Sequence, residues 1–219
     1  MSHSNSLFCI SPIDGRYTSK TQHLSQFFSE YALIKTRVEI EIEYLIALAG
    51  VGIKGLNSFS KEDETKLRTI YIAFNEEDAN EVKRLESTIN HDVKAVEYFI
   101  KNKCTTQNIQ FNMEFVHFGL TSQDINNTSF PLMFKRYVEQ IYIPNIKKLR
   151  DKIDSKSNNW KSIPLLAKTH GQPASPTTLG KEFKVFSERI SHQLLLLENA
   201  IHSGKFGGAT GNFNAHKLA

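Results

Sequence analysis

LGKEFKVFSERISHQLLLLENAI, residues 179–201, carries apolar side chains at Leu179, Phe183, Phe186, Ile190, Leu194, Leu197 and Ile201. They recur at steps of four, three, four, four, three and four residues, the heptad-like period of a helix with one apolar stripe. Such a stripe suits a helical bundle or an interface between subunits. Just upstream, Ser175-Pro176 offers a cap and a proline for a first helical turn. Downstream, glycines 204, 207, 208 and 211 mark a connection between bundle helices, with freedom for the backbone to pass close to a ligand. It is not a phosphate-binding P-loop, because the lysine follows the first glycine and no Gly-Lys-Ser/Thr stands at the required place.

The same period recurs toward the N-terminus. A long helix is expected after Ser122, through Leu132, Met133, Tyr137, Val138, Ile141, Ile146, Leu149 and Ile153. Pro131 and Pro144 should bend or break it, since an interior proline costs about 3 kcal/mol. Residues 23–49 read as another helix, with Leu24, Phe27, Tyr31, Ile34, Val38, Ile42 and Leu45 in register and Gly50 as its stop. Glu39, Glu41 and Glu43 alternate along it and read as solvated. Ser60 caps a helix running to about Phe74, with Glu62, Asp63 and Glu64 in the first turn, and Asn75 begins another in the same way. Asn90 is expected to cap a helix over Val93–Lys101. Residues 1–22 read as an extended arm, and residues 102–112 as a turn-rich boundary. No stretch has a strand period, so the fold class is all-α. A small N-terminal helical domain (1–111) is expected to lead into the first part of a helical bundle (112–219).

Four polar segments interrupt these helices. Lys168-Thr169-His170-Gly171-Gln172-Pro173-Ala174 has neither helical nor strand period. It could hold one imidazole, the usual proton carrier near neutral pH, although a loop histidine is more often structural. Asp14-Gly15-Arg16-Tyr17 turns and could present Arg16 to a phosphate or carboxylate, with a plain surface arginine as the safer reading. His91 and Asp92 fall in the first turn of a helix, beside N–H groups that attract anions, and a simple capping acid is equally consistent. Gly119 ends one segment before Thr121-Ser122, whose hydroxyls at a helix N-terminus can cup a carboxylate or form an ordinary capping box.

The 219 residues carry a net charge of +4, too small and dispersed to argue for nucleic acid, though mildly suited to anionic small molecules. Cys9 and Cys104 form no CxxC pair, which suggests a reducing compartment. Neither a secretory leader nor a membrane-length apolar run is expected. The Asn126-Asn127-Thr128 sequon is therefore taken as chance.

Together SPIDGRY (11–17), TINHDVKAVEYF (88–99), HFGLTSQDINN (117–127) and KTHGQPASPTTLGKE (168–182) resemble the adenylosuccinate lyase family of the fumarase/aspartase superfamily, in its bacterial-type form. The resemblance implies a long-helix bundle, a cytoplasmic homotetramer whose sites draw on several subunits, and no metal or organic cofactor. It implies elimination of fumarate from adenylosuccinate and from the succinylated carboxamide ribotide of purine synthesis. By resemblance His170 is the general acid. Thr121 and Ser122 hold the succinyl part, and Arg16 and Tyr17 the nucleotide end. Asn90, His91 and Asp92 line the pocket, and His117 matches a histidine near the phosphate. The family's base, a serine in a Ser-Ser-x-Met-Pro-x-Lys-x-Asn loop, has no counterpart in these residues. The chain thus reads as the N-terminal part of a lyase, inactive alone. A sibling fumarate-releasing lyase and a non-catalytic helical module are the competing readings.

Overall fold

The structure, a computed structural model, describes residues 6–219; the first five residues of the expected arm lie outside it. Two compact units are present. One comprises the chain through Phe134 together with Ser203–Ala219, and the other is Lys135–His202. The point between residues 111 and 112 falls inside the first unit.

In the first unit the described part of the arm, residues 6–22, is not extended. It coils through turns into the short helices α1 (Thr18–Thr21) and α2 (Ser25–Phe28). Tyr17 N donates to Pro12 O at 2.9 Å, and the Thr21 hydroxyl donates back to Ile13 O at 3.1 Å. The helix expected over 23–49 is broken at Ser29. Its extended backbone and hydroxyl, which accepts from Ala32 N, start α3 (Glu30–Val51) afresh. The stop is Gly52, left-handed at φ 83°, rather than Gly50, which stays helical.

Helices α4 (Lys61–Ile72) and α5 (Glu76–Ile89) are capped by Ser60 and Asn75 as expected, the latter in a reciprocal box with Asp78. Asn90 does not cap the next helix. It closes α5 in the left-handed region, and His91 caps α6 (Asp92–Thr106), which also runs into the expected boundary. The core lies where α3 meets α6 and the helices between them. Val38, Ile42, Leu45, Leu67, Val96, Phe99 and Ile100 are fully buried there.

Helix α7 (Ser122–Tyr137) passes through Pro131 without a break. Pro131 has no N–H for the Asn127 carbonyl, and the chain at Gly204 runs against that carbonyl so closely that a Cβ would stand 2.8 Å from it. The last short helix of this unit is α10 (Asn214–Leu218).

The second unit opens with a π-helical turn, Val138–Tyr142, just before Pro144 enters the first turn of α8 (Ile143–Asn159). A hairpin follows, of β1 (Pro164–Thr169) and β2 (Gln172–Thr178), and then α9 (Leu179–Glu198). The hairpin corrects the expectation of no strands. Thr169 pairs with Gln172, and His170 and Gly171 form the two-residue turn with φ 51° and 76°. Two positive φ angles are what a type I′ hairpin needs. Pro173 and Pro176 sit in β2, where a two-stranded ribbon has no further partner to lose. Ser175 therefore lies in a strand, and the cap of α9 is Thr178, accepting from Lys181 N at 3.2 Å.

Helices α8 and α9 meet at Gly180, where a Cβ would fall 2.3 Å from Ser157 O and 2.5 Å from Lys161 N. Ser157 Oγ donates to Gly180 O at 2.7 Å, and Phe183 packs edge-on to Trp160. Of the heptad stripe, Leu194 is buried, whereas Phe186 and Ile201 are exposed. Both contacts at Gly180 are backbone, so Gly180→Ala forces the helices apart. A loss of about 1–3 kcal/mol is expected in thermal unfolding followed by the fluorescence of Trp160, the only tryptophan. Lys181→Ala, on the exposed side, should stay within about 0.5 kcal/mol.

Candidate active site

Within the first unit, the start of α6, the turn over residues 112–121 and the start of α7 enclose an open pocket of about 270 Å³. Its walls are His91, Lys94, Glu97, His117, Leu120, Thr121 and Ser122. Each is placed by local backbone logic. His91 caps α6 with Nδ1, which accepts from Lys94 N at 3.1 Å, and its Nε2 lies 3.4 Å from Ser122 Oγ. His117 follows a 3₁₀ turn in the left-handed region at φ 64°, a conformation that costs a non-glycine residue about 1–2 kcal/mol. Gly119 turns the chain again at φ 73° and delivers Thr121 and Ser122.

A carboxylate sits behind each cation of the pocket. Glu97 is buried and holds both Lys94 and Lys101 at 2.8 and 2.9 Å. Burial would raise its carboxyl, but the two lysines keep it below the usual carboxylate range. Glu41 of α3, 1% exposed, meets His117 Nδ1 through Oε1 at 2.5 Å. Burial pushes the Glu41 carboxyl up. Burial alone would lower His117, and the Glu41 contact, with Glu97 behind it, raises it overall.

The loop entering α7 is locked by Asp124. This fully buried carboxylate accepts from Lys205 Nζ (2.8 Å) and Gly207 N (2.9 Å) on Oδ1, and from Thr121 N (2.9 Å) and Gly208 N (3.0 Å) on Oδ2. Burial opposes its charge, yet these donors hold it below the usual aspartate value. The glycine-rich segment thus brings backbone to a carboxylate of its own chain.

The pocket unites His91, His117, Thr121 and Ser122 of the residues singled out by sequence. Asp92 is not in the pocket wall; its carboxylate is bound by Arg37 Nη2 at 2.7 Å and by Val93 N at 2.8 Å. Asn90 is the left-handed closing residue of α5. Arg16 and Tyr17 sit in the coiled arm, the guanidinium 5.6 Å from the tyrosine ring, and neither is in the pocket wall. His170 is exposed at the hairpin tip of the second unit.

Sequence reasoning missed Glu41, Glu97, Asp124 and Lys205. Glu41 had a readable signal, since it lies three residues after Val38 and four before Leu45, on the stripe that faces the core. Among the described residues no group of three or more His, Cys, Asp or Glu side chains is placed to hold a metal ion, and no helix is long and apolar enough to cross a membrane.

A sequence model of a lyase family, Lyase_1, matches residues 15–219. The chain belongs to this lyase family. As a lyase-family chain it is 54% identical over 222 residues to the adenylosuccinate lyase of Dictyostelium discoideum, covering 98% of this chain and 47% of that one. It is 43% identical over 217 residues to the adenylosuccinate lyase of Escherichia coli K12, covering 98% and 48%. The chain therefore spans about half the length of the curated relatives it matches. Its fold is similar to that of a fumarate lyase from Mesorhizobium sp. BNC1, with a TM-score of 0.69 at 19% identity, over 89% of this chain and 44% of that one. A β-carboxy-cis,cis-muconate cycloisomerase from Acinetobacter calcoaceticus gives 0.65 at 19%, over 90% and 45%. The expected all-α class holds, with the hairpin as the one strand pairing among the described residues.

Proposed function

We propose that this lyase-family chain is the N-terminal part of an adenylosuccinate lyase, releasing fumarate from adenylosuccinate to give AMP and from the succinylated carboxamide ribotide to give its free amide. The observation that carries the reading is the pocket that joins two histidines to two hydroxyls at the start of α7, in a chain more than half identical to one adenylosuccinate lyase.

The elimination makes three demands. A base removes the proton beside a carboxylate, the C–H electrons form the C=C bond of fumarate, and the C–N bond breaks as an acid protonates the departing nitrogen. Charge building on the carboxylate needs fixed donors. In this reading Thr121 and Ser122 are such donors, with His91 and His117 beside them. Asn90 and Asp92 shape the same region, and Arg16 and Tyr17 bind the nucleotide end. His170 is the acid, at the tip of a two-residue turn that fixes its backbone. No Ser-Ser-x-Met-Pro-x-Lys-x-Asn run occurs in these residues, so they do not themselves provide the family's base. A cytoplasmic homotetramer, and a division near residue 111 between a small helical domain and the bundle, are part of the same proposal.

The test is calorimetric titration of AMP into the chain, then fumarate release from adenylosuccinate after mixing with the C-terminal half of a full-length relative. The chain is expected to bind AMP, to lose binding in Arg16→Ala and His91→Ala, and to release no fumarate alone. In the mixture His170→Ala should lower the rate by about 10²–10⁴-fold. No AMP binding together with no fumarate from the mixture would reject the reading in favour of a non-catalytic helical module.

A further inference from the structure

Glu41 is an unusual group to find where it is. It lies on the core side of α3, 1% exposed, with one oxygen on His117 Nδ1 and the other, Oε2, buried without a hydrogen-bond partner. A carboxylate with one oxygen unsatisfied is costly in a core, and an apolar side chain there would be cheaper for stability alone. His117 in turn holds a left-handed backbone and is 18% exposed on the wall of the pocket.

We propose that Glu41 is a positioning residue that orients His117 through Nδ1 and presents the Nε2–H to an anionic oxygen of the ligand in this pocket. The inference rests on the pocket's being the ligand site of the proposed lyase. With Nδ1 committed to Glu41, Nε2 is the nitrogen left for the pocket. Burial and the contact between them favour retention of one proton in the pair. With that proton on Nδ1 the imidazole is doubly protonated, and Nε2 keeps its own hydrogen as a donor to the pocket. The other charged groups facing His117 are Glu97 and Lys94 of α6, which oppose one another and are paired together, and His91 lies across the same pocket. Ser122 Oγ, Thr121 and Lys94 complete a set of donors suited to a phosphate or a carboxylate.

Glu41→Gln tests this, because glutamine keeps the shape and can still accept from Nδ1–H but removes the charge. Two readouts on the whole chain are needed. One is the ¹⁵N NMR titration of His117, assigned by its loss in His117→Gln. The other is the affinity for AMP and, separately, for fumarate at pH 5.5 and pH 7.5. Comparing variant with parent at each pH cancels the ionisation of the phosphate itself. The parent His117 should stay doubly protonated above the ordinary histidine midpoint, and Glu41→Gln should lower that midpoint by about one unit or more. At pH 7.5 the variant should bind about tenfold more weakly, and at pH 5.5 within about twofold. A loss confined to AMP assigns the donor to a phosphate oxygen, and a loss confined to fumarate assigns it to a carboxylate. An unchanged His117 midpoint with unchanged affinities overturns the inference. If the parent binds neither ligand, the lyase-site reading fails, while the NMR midpoint still decides whether Glu41 governs His117. If the variant does not fold, an ordinary or lowered His117 midpoint in the parent is enough to overturn it.

Discussion

Asp124→Asn is expected to destabilise the first unit by about 3–5 kcal/mol, the range for breaking a buried charged group away from its partners. Each carboxylate oxygen accepts from two donors. An asparagine has one acceptor oxygen and one NH₂ group, so either orientation of the amide turns donors toward donors. If the NH₂ replaces Oδ1 it faces Lys205 and Gly207 N, and if it replaces Oδ2 it faces Thr121 N and Gly208 N. The Lys205 head is 39% exposed and can turn to water, so most of the loss comes from the three backbone N–H groups. The sign of the pH dependence follows. A carboxyl lowered from 3.8 in the folded chain contributes stability that is complete above that value. The contribution fades as the pH falls through the lower folded value. Denaturant midpoints of parent and variant should therefore differ most at pH 5–7 and converge below about pH 3.8. A constant gap down to pH 2 would mean that the charge of Asp124 is not what holds the segment.

Phe99→Ala should cost about 3–5 kcal/mol, the usual price of removing a large aromatic from a packed core. Phe99 is 0% exposed, its ring meets Phe74 nearly perpendicular at 5.6 Å, and Lys103 Nζ lies 5.2 Å from its face. It stands two turns along from the cap His91, in the helix that supplies Lys94 and Glu97 to the pocket wall. Urea titration is expected to show a lower midpoint with an unchanged slope, the sign of lost stability without a looser native state. AMP affinity, measured in buffer below the transition region, should weaken less than stability does. Asn102→Ala, on the exposed face of the same helix, should lie within about 0.5 kcal/mol of the parent. A Phe99→Ala chain as stable as that control would show that the α3–α6 core collapses around the gap.

What could be read in advance divides by distance along the chain. Ser60 and Asn75 cap their helices through groups two or three residues away, and both were legible. The helix α9 was also legible, because an apolar period is a local property, although within its stripe Leu194 is buried and Phe186 exposed. His91 took the cap expected of Asn90, and Asn90 closed α5 instead of starting α6, because asparagine is both a good cap and the side chain most tolerant of the left-handed region, and the second property won. The hairpin at 164–178 was hidden by two prolines that argue against a strand wherever a further strand must pair. Glu41 and Asp124 were not legible as partners at all. Glu41 meets a histidine 76 residues away, and Asp124 meets amides 83 and 84 residues away. No short-range pattern encodes a contact of that span, although the burial of Glu41 was implicit in its place between Val38 and Leu45.

The first unit is discontinuous: its body runs to Phe134 and its last strip returns at Ser203. On a ribosome these parts are born at different times. At about 5–20 residues per second, the 83 residues between Asp124 and Gly207 take roughly 4–17 s to make. During that interval the carboxylate has only Thr121 N and solvent for company, and the neighbouring Thr121-Ser122 turn has no clamp. The second unit, 135–202, is by contrast contiguous and can form while the first waits. The order of completion is therefore the reverse of the order of synthesis: the unit begun first is the one finished last, and a pause in translation before Lys205 would hold it open.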